Sequence, residues 1–463
     1  MQGCVAASSA CIIRQMTELT DLPMPKPPKS PESDGFARLS FTSTALLMAR
    51  VFGIAALVGT MLSLPLTNAF VTLSLVSWCL SGCKTDKNWV EILKNPAVLG
   101  ALMLFGWMLL SVFWAQIDFK SSLGGAWKYR KLMWVPLMVV LFADEKWRLW
   151  SIKAWLVTAV VLMIFSLEQT LPAPFGIGKM SDHPAKPLSV YSHVTLGFIL
   201  IPAITLGLAW MSLSREKMVK SAGVLLVVLT LCYMVIAQRG RTTYVILVVL
   251  FMFFVFTQLK GVKRWFSVAI LVSGTLSILV LNPKVQMRFE QVLIDSQTAQ
   301  TATTYEENFT SSGLRIGFWR GSIEIFKEHP ILGSGVGTWA DEYRKYIDRT
   351  PGTPSIAITG GNPHQEYLLM ASQLGVVGLG LFLAWLARCI HATRRLGRSE
   401  RIAAQSLLVA FIVGCWFNSF LFDSATGHFF CLGLGILFAG YTTTNRNEEE
   451  KVKTRAASIE TIG

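Results

Sequence analysis

Charged residues are scarce in this sequence. Of its 463 residues, 15% are Asp, Glu, Lys or Arg, whereas 52% are hydrophobic. Long runs without any charge recur along the chain, and residues 243–257 form one of them. Such runs satisfy their backbone hydrogen bonds in a bilayer only as helices. The scarcity of charge therefore excludes an ordinary soluble enzyme and predicts an all-α polytopic membrane protein.

Several motifs are also missing. The glycines of residues 333–337 ("GSGVG") are not followed by Lys-Ser/Thr and do not follow a predicted strand, so they match neither nucleotide-binding fingerprint and predict a tight turn. Residues 282–365 contain no cysteine, so no disulfide framework is expected there. The predicted external loops contain no Asp-x-Asp pair, so no metal site and no cofactor are predicted.

About twelve apolar runs are long enough to be considered membrane helices. They lie near residues 44–62, 67–82, 97–114, 131–143, 151–170, 190–213, 221–237, 242–258, 265–281, 366–387, 403–421 and 427–442. The fourth run is short and is predicted to be re-entrant or tilted. Residues 41–281 would thus hold helices 1–9, and residues 366–442 would hold helices 10–12.

The distribution of basic residues predicts the orientation. Five loops, at residues 84–94, 146–153, 215–220, 260–264 and 388–401, hold 17 Lys and Arg, whereas the opposite short loops, at 120–131, 179–186 and 239–241, hold eight. The richer set is expected in the cytoplasm together with both termini. Residues 282–365 then form one large external loop. The net charge of +14 reflects this bias and predicts no nucleic-acid partner.

The two ends of the sequence are polar. Residues 1–40 include a Pro-rich stretch and lack the apolar core of a secretory signal, and they are expected to form a disordered cytoplasmic tail. Residues 443–463 are expected to form a second cytoplasmic tail.

The large external loop is predicted to be partly helical. Its segment "LRIGFWRGSIEIFKEHP" places Ile316, Trp319, Ile323 and Phe326 on one helical face, and His329-Pro330 ends that helix. The segment "WADEYRKYIDRT" predicts a second short helix. A folded segment lying on the membrane surface is expected.

Four arginines oppose the general charge bias. Arg239 and Arg241 stand at the external mouth of two predicted spans, and Arg315 and Arg320 belong to the large loop. They could be helix-end side chains that reach for the interface. Alternatively, they form a fork for a membrane-bound phosphate, which guanidinium geometry matches. The pattern favours an anionic lipid head group.

His364 lies at the same depth, immediately before the tenth predicted span. Pro363 would fix the start of that helix, and a capping or packing role for the histidine is one interpretation. A neutral imidazole there would also suit a general base for a hydroxyl nucleophile. Asp423, between the last two spans, could orient His364 or pair with an arginine.

Together these segments resemble the O-antigen ligase and polymerase superfamily. The resemblance rests on "QRGRTTY", on "GLRIGFWRGSIEIFKEHPILGSGVGTW" and on "NPHQEYLLMASQLGVVGL", and it covers about residues 40–440. The family usually carries His-Asn before a Leu-rich helix, whereas this chain has His364-Gln365. The number of spans and the short flanking loops resemble the ligase branch, with a fold similar to that of other polytopic glycosyltransferases of the GT-C type.

The resemblance implies a metal-independent, inverting glycosyltransferase of the bacterial inner membrane, active at the periplasmic face. The donor would be O-antigen linked to undecaprenyl pyrophosphate, and the acceptor lipid A–core. The family's essential arginines fall on Arg241 and Arg315, and its essential histidine on His364.

Three alternatives stay open at the level of sequence. A polymerase would use a second lipid-linked glycan as acceptor. A protein O-oligosaccharyltransferase usually has a further periplasmic domain after its last span, where this sequence has a short charged segment. A transporter of lipid-linked sugars should show ionisable or broken helices near the midplane, whereas the ionisable residues here gather at one surface.

Overall fold

A computed structural model describes residues 41–170, 192–238, 240–281, 311–350 and 361–442, together with residues 286, 290 and 294. Every regular element among these residues is helical, which confirms the predicted all-α class. The chain divides into two units, Met1–Thr44 and Ala45–Gly463. In the first unit the structure describes only the beginning of the first helix, and both predicted tails lie outside the described residues.

The α-helices, in chain order, are α1 (Phe41–Leu62), α2 (Leu64–Leu80), α3 (Trp89–Lys94), α4 (Pro96–Ser111), α5 (Phe119–Trp127), α6 (Trp134–Leu141), α7 (Glu145–Glu168), α8 (His193–Leu200), α9 (Ala203–Leu213), α10 (Lys217–Cys232), α11 (Arg241–Gln258), α12 (Val262–Leu281), α13 (Ser311–Glu328), α14 (Trp339–Arg349), α15 (Glu366–Ala392), α16 (Arg398–Gly414) and α17 (Ser424–Phe438). Short 3-10 turns occupy Val112–Trp114, Arg130–Met133 and Thr393–Arg395, and a π turn occupies Tyr233–Ala237.

Seven segments in the described part of the chain are long and apolar enough to cross a membrane. They are Phe41–Leu62, Pro96–Trp114, Glu145–Glu168, His193–Ser212, Lys217–Ala237, Arg241–Gln258 and Glu366–Arg395. Two shorter apolar helices, α2 and α17, accompany them. Each of the twelve predicted runs coincides with helical residues, so the chain is a polytopic helical protein. The fourth run contains only the eight residues of α6, about 12 Å of helix, which is far less than the hydrocarbon thickness of a bilayer.

Helix α15 is interrupted at Gly375, where φ is 65° and ψ is −168°. The N–H of Val376 donates to the carbonyl of Pro330 at 2.8 Å instead of to its own helix. A Cβ at Gly375 would lie 2.1 Å from the carbonyl oxygen of Ile331, so glycine is required for this close approach. The loop that follows α13 therefore inserts its backbone into the break in α15.

The predicted glycine-rich turn of residues 333–337 forms this insertion. Gly333, Gly335 and Gly337 all have positive φ, at 75°, 100° and 87°. The N–H of Ser334 donates to the carbonyl of Ser372 at 3.0 Å, and the N–H of Gly335 donates to the carbonyl of residue 373 at 2.8 Å. The turn thus ties the large predicted loop to the longest apolar helix.

Helix α13 packs against α14 mainly through residues outside the predicted apolar face. The helix buries Phe318, Gly321, Ser322 and Ile325, while Ile323 is 41% exposed. The small residues make the difference, because they leave room for the aromatic rings of α14. A Cβ at Gly321 would lie 2.5 Å from the ring of Tyr343, and the indole N–H of Trp339 donates to Ser322 Oγ at 2.8 Å.

Candidate active site

His364 lies in the turn that leads into α15. Its φ is 52°, an uncommon value for a residue with a side chain, and its N–H donates to Asn362 Oδ1 at 2.9 Å. The helix begins at Glu366, and its N-cap is Gln365, whose side chain accepts from the N–H of Leu368. The prediction that Pro363 fixes the helix start is therefore wrong, because Gln365 performs the capping and the imidazole is left for other contacts.

The imidazole of His364 is connected to Asp423 through Asn418. His364 Nδ1 lies 3.0 Å from Asn418 Oδ1, and Asn418 Nδ2 donates to Asp423 Oδ2 at 3.1 Å. An ionised carboxylate accepts only, so it orients the amide of Asn418 with its NH₂ group toward Asp423. The amide oxygen then faces His364, where it accepts the proton carried by Nδ1. This relay selects the tautomer in which Nε2 is the basic nitrogen of the ring.

Asp423 is half-buried at the start of α17. Burial raises the pKa of its carboxyl above the ordinary value, and His364, Lys131 and the hydrogen bond from Asn418 oppose that rise. Sequence reasoning left open whether Asp423 orients His364 or pairs with an arginine. The structure places it toward His364, with Asn418 as the intermediate.

Two of the four arginines come together. Arg241 is the first residue of α11, and Arg315 lies in the second turn of α13. Burial lowers the pKa of Arg315, and the positive charge of Arg241 lowers it further. The positive charges of the two arginines thus act on each other, and an anion bound near both would relieve this repulsion.

The turn that carries Arg241 is held by Gln238. Its side-chain amide donates to the carbonyl of His193 at 3.0 Å, and its Oε1 accepts from the N–H of Gly240 at 2.9 Å. The hydroxyl of Tyr244 donates to the Gln238 carbonyl at 3.0 Å. The start of α11 is therefore fixed against the start of α8.

Helix α13 connects the arginine pair with the histidine. The ring of Phe318 lies 6.2 Å from the ring of His364, and Phe318 also packs against Trp339 and Tyr343 of α14. Arg315 precedes Phe318 by three residues, and residues three apart share a helix face. The same face of α13 thus presents a cation and lines the histidine.

The remaining predicted arginines differ in placement. Arg320 is exposed, and its position five residues after Arg315 turns it by about 140° around the axis of α13. Arg239 lies outside the described residues.

Among the residues that the structure describes, one group of side chains has ligand atoms close enough to hold a metal ion. Glu328, His329 and Glu342 bring ligand atoms within 4.8 Å of one another. Both carboxylates already have cationic partners, because Glu328 pairs with Arg349 at 2.9 Å and Glu342 with Lys345 at 2.7 Å. The group lies near the end of α13, beyond the residues that line His364.

Sequence reasoning missed Asn418, Gln238, Lys131 and Glu366 as parts of this site. Lys131 was counted only as a loop charge. Lys131 and Glu366 each stand at the start of a predicted apolar run. This signal could have identified them, since ionisable residues in such places are usually functional. No pattern in the sequence points to Asn418.

Comparison with known proteins finds similarity to one family. Residues 225–383 match the family model described as O-antigen ligase. The match includes Arg241, Arg315 and His364, whereas Asn418 and Asp423 lie beyond it. No curated protein matches the chain. The resemblance to the O-antigen ligase superfamily is confirmed, and a function of the O-antigen ligase or polymerase type, acting on lipid-linked polysaccharide, is supported.

Proposed function

We propose that this protein is an O-antigen ligase, which transfers polysaccharide from undecaprenyl pyrophosphate to lipid A–core at the periplasmic face of the inner membrane. The observation that carries the proposal is that α13 links two arginines, Arg241 and Arg315, with His364, whose tautomer is selected by Asn418 and Asp423. The first group suits a pyrophosphate, and the second suits a hydroxyl nucleophile. Residues 282–365, the arginine pair and His364 would lie on the periplasmic side, with both termini in the cytoplasm.

The acceptor step is a single displacement. A sugar hydroxyl of lipid A–core forms a bond with the anomeric carbon of the donor, and the bond from that carbon to the pyrophosphate oxygen breaks. Nε2 of His364 takes the proton of the hydroxyl. The charge of Asp423, relayed through Asn418, stabilises the imidazolium that forms. One displacement inverts the anomeric configuration.

The arginine pair acts on the leaving group. Negative charge grows on undecaprenyl pyrophosphate as the glycosidic bond breaks, and Arg241 and Arg315 neutralise it. Because an anion between them also removes their mutual repulsion, the pair favours the bound pyrophosphate over water. These permanent cations supply the charge stabilisation for which other transferases use a divalent ion. Arg239 and Arg320 contribute secondarily to donor binding.

The location of the site fits two lipid substrates. His364 precedes α15 and Arg241 begins α11, and both helices are apolar enough to span a membrane. The polar ends of these helices therefore stand at one depth. Lipids anchored in the same bilayer would bring their head groups to that depth without leaving it.

The lipopolysaccharide pattern of a deletion strain tests the proposal. Loss of the high-molecular-weight ladder, with accumulation of lipid-linked polymer, is expected for a ligase. A core capped by a single repeat would identify a polymerase instead, and an unchanged ladder would contradict both. Complementation with the wild-type gene is the positive control, and complementation with His364→Ala should fail.

A further inference from the structure

Two buried ionisable side chains near the site have no part in the chemistry described above. The side chains of Lys131 and Glu366 are completely inaccessible to solvent. Lys131 Nζ donates to the carbonyl oxygens of Phe422 and Asp423, each at 2.9 Å. Glu366 Oε2 accepts from the N–H groups of Leu421 and Phe422, at 2.7 and 3.1 Å. The lysine and the glutamate therefore hold one short segment, residues 421–423, by its carbonyl and amide groups respectively.

This arrangement is costly as a means of stabilising a fold. Burying an ion costs several kcal/mol, and that cost is often recovered better by an apolar side chain of similar volume. Glu366 Oε1 is buried and has no hydrogen-bond partner in the part of the chain that the structure describes. A buried group with such an unsatisfied atom is expected to position the backbone that it binds, and not only to stabilise the fold.

Space for the lysine is reserved by a glycine. A Cβ at Gly427 would lie 2.7 Å from Lys131 Nζ and 2.6 Å from its Cδ. Any larger residue at this position would displace the ammonium from the two carbonyl groups. The segment is thus shaped around the lysine from a second side.

The held segment carries the relay to the histidine. Asp423 is its last residue, and the N–H of Asp423 donates to the carbonyl of Ser419 at 2.8 Å. Asn418, next to Ser419, connects Asp423 with His364. A shift of Asp423 away from Asn418 by less than 1 Å would lengthen their hydrogen bond, now 3.1 Å, beyond the usual range.

We propose that Lys131 and Glu366 are positioning residues that hold residues 421–423, so that Asp423 and Asn418 keep the imidazole of His364 in its reactive tautomer. The inference rests on the proposed role of His364 as the base. Removing either ion should lower kcat and leave donor binding intact, because the arginines lie on α11 and α13.

The test uses Lys131→Met and Glu366→Met in the purified full-length protein, since a glutamine at position 366 would keep an oxygen that accepts the same N–H groups. We expect kcat to fall by about 10- to 100-fold, less than the loss of the base itself, with the donor KM unchanged. Lys120→Met and Glu324→Met, at exposed positions away from the segment, are the matched controls and should retain wild-type kcat. Wild-type kcat in both variants would overturn the proposal.

A second readout does not depend on transfer activity. Diethyl pyrocarbonate modifies accessible imidazoles, and its rate at His364 can be followed by mass spectrometry of that peptide. Lys131→Met and Glu366→Met should shift this rate toward the value of Asn418→Ala, and a wild-type rate would contradict the positioning role. If the rate shifts while wild-type protein transfers no polymer, the positioning inference stands and the proposed function fails.

Gly427→Ala covers the case in which loss of either ion prevents folding. It retains Lys131 and crowds its ammonium, so it should lower kcat in the same direction without removing a charge. Normal kcat together with a wild-type His364 modification rate in this variant would overturn the proposal.

Discussion

Buried ions lie at both ends of α6, and they are arranged differently. Beyond its C-terminal end, Arg148 Nε pairs with Glu400 Oε1 at 2.6 Å, and both side chains are more than nine-tenths buried. At its N-terminal end, Lys131 and Glu366 bind the backbone of residues 421–423 instead. The first pair neutralises itself and ties elements together. The second pair uses its charges on a segment that touches the proposed base.

The comparison separates what supports the fold from what supports the site. Arg148 also donates to the carbonyl groups of Phe142 and Ala143, so it closes the turn after α6. Because the charges of Arg148 and Glu400 neutralise each other, this pair is not suited to binding a charged ligand. Arg241 and Arg315, by contrast, repel each other, and His364 holds a strained backbone angle. Unfavourable local features gather where the chemistry is proposed, as is common at active sites.

The largest effect on activity is expected at the arginine pair. Arg241→Ala and Arg315→Ala should each abolish detectable transfer while the protein still folds and inserts, because Arg241 is exposed and Arg315 is only half-buried. Lysine should restore little activity if the contact with pyrophosphate is bidentate, since an ammonium is a point charge. The measurement is transfer by purified variants, with Arg344→Ala on the exposed face of α14 as a control.

Near-normal activity of both lysine variants would show that charge alone suffices and that the bidentate fork is wrong. Full activity of both alanine variants would remove the arginines from the site.

The opposite result is expected at the self-paired end. Arg148→Met should cost about 3–5 kcal/mol in the free energy of unfolding, because it leaves the Glu400 carboxylate buried and unpaired. The double variant Arg148→Met with Glu400→Leu should recover most of that loss. Folded protein should keep its wild-type kcat in all cases. Thermal unfolding in detergent and transfer assays measure the two quantities, and a fall in kcat without loss of stability would contradict this assignment.

The smallest effect is a pH dependence that originates at Asp423. Since burial raises the pKa of this carboxyl in the folded protein, the folded state binds more protons than the unfolded state between the two pKa values. Its contribution to stability is therefore present at low pH and declines as the pH rises through the folded pKa. Asp423→Asn should remove this decline, so the Tm difference from wild type should change with pH. A constant difference from pH 4 to pH 8 would contradict it.

Sequence patterns predicted the helices well, because apolar runs identify membrane-type helices almost directly. They also identified the chemistry-bearing types, His364 and the arginines, because polar residues at the edges of apolar runs are conspicuous. The contacts that orient them were not predictable. Asn418, for example, meets His364 across 54 residues of sequence, and no local periodicity encodes that contact.

Small residues hold packing information that the apolar pattern leaves out. The predicted face of α13 rests on its large apolar side chains, whereas the contacts with the rings of α14 are made at Gly321 and Ser322. The break in α15 arises in the same way, since Gly375 admits the backbone of another segment. At both sites a glycine allows another segment to approach closely, and a prediction based on large apolar side chains does not register this.

Separate measurement of donor binding and turnover tests the central claim most directly. Purified wild type, His364→Ala and Arg241→Ala would be combined with lipid-linked donor and lipid A–core. We expect His364→Ala to bind donor like wild type and to turn over about 10²- to 10⁴-fold more slowly, the usual contribution of a general base. Arg241→Ala should lose donor binding. Normal turnover by His364→Ala, or a loss of donor binding as complete as that of Arg241→Ala, would contradict the role of His364 as the base.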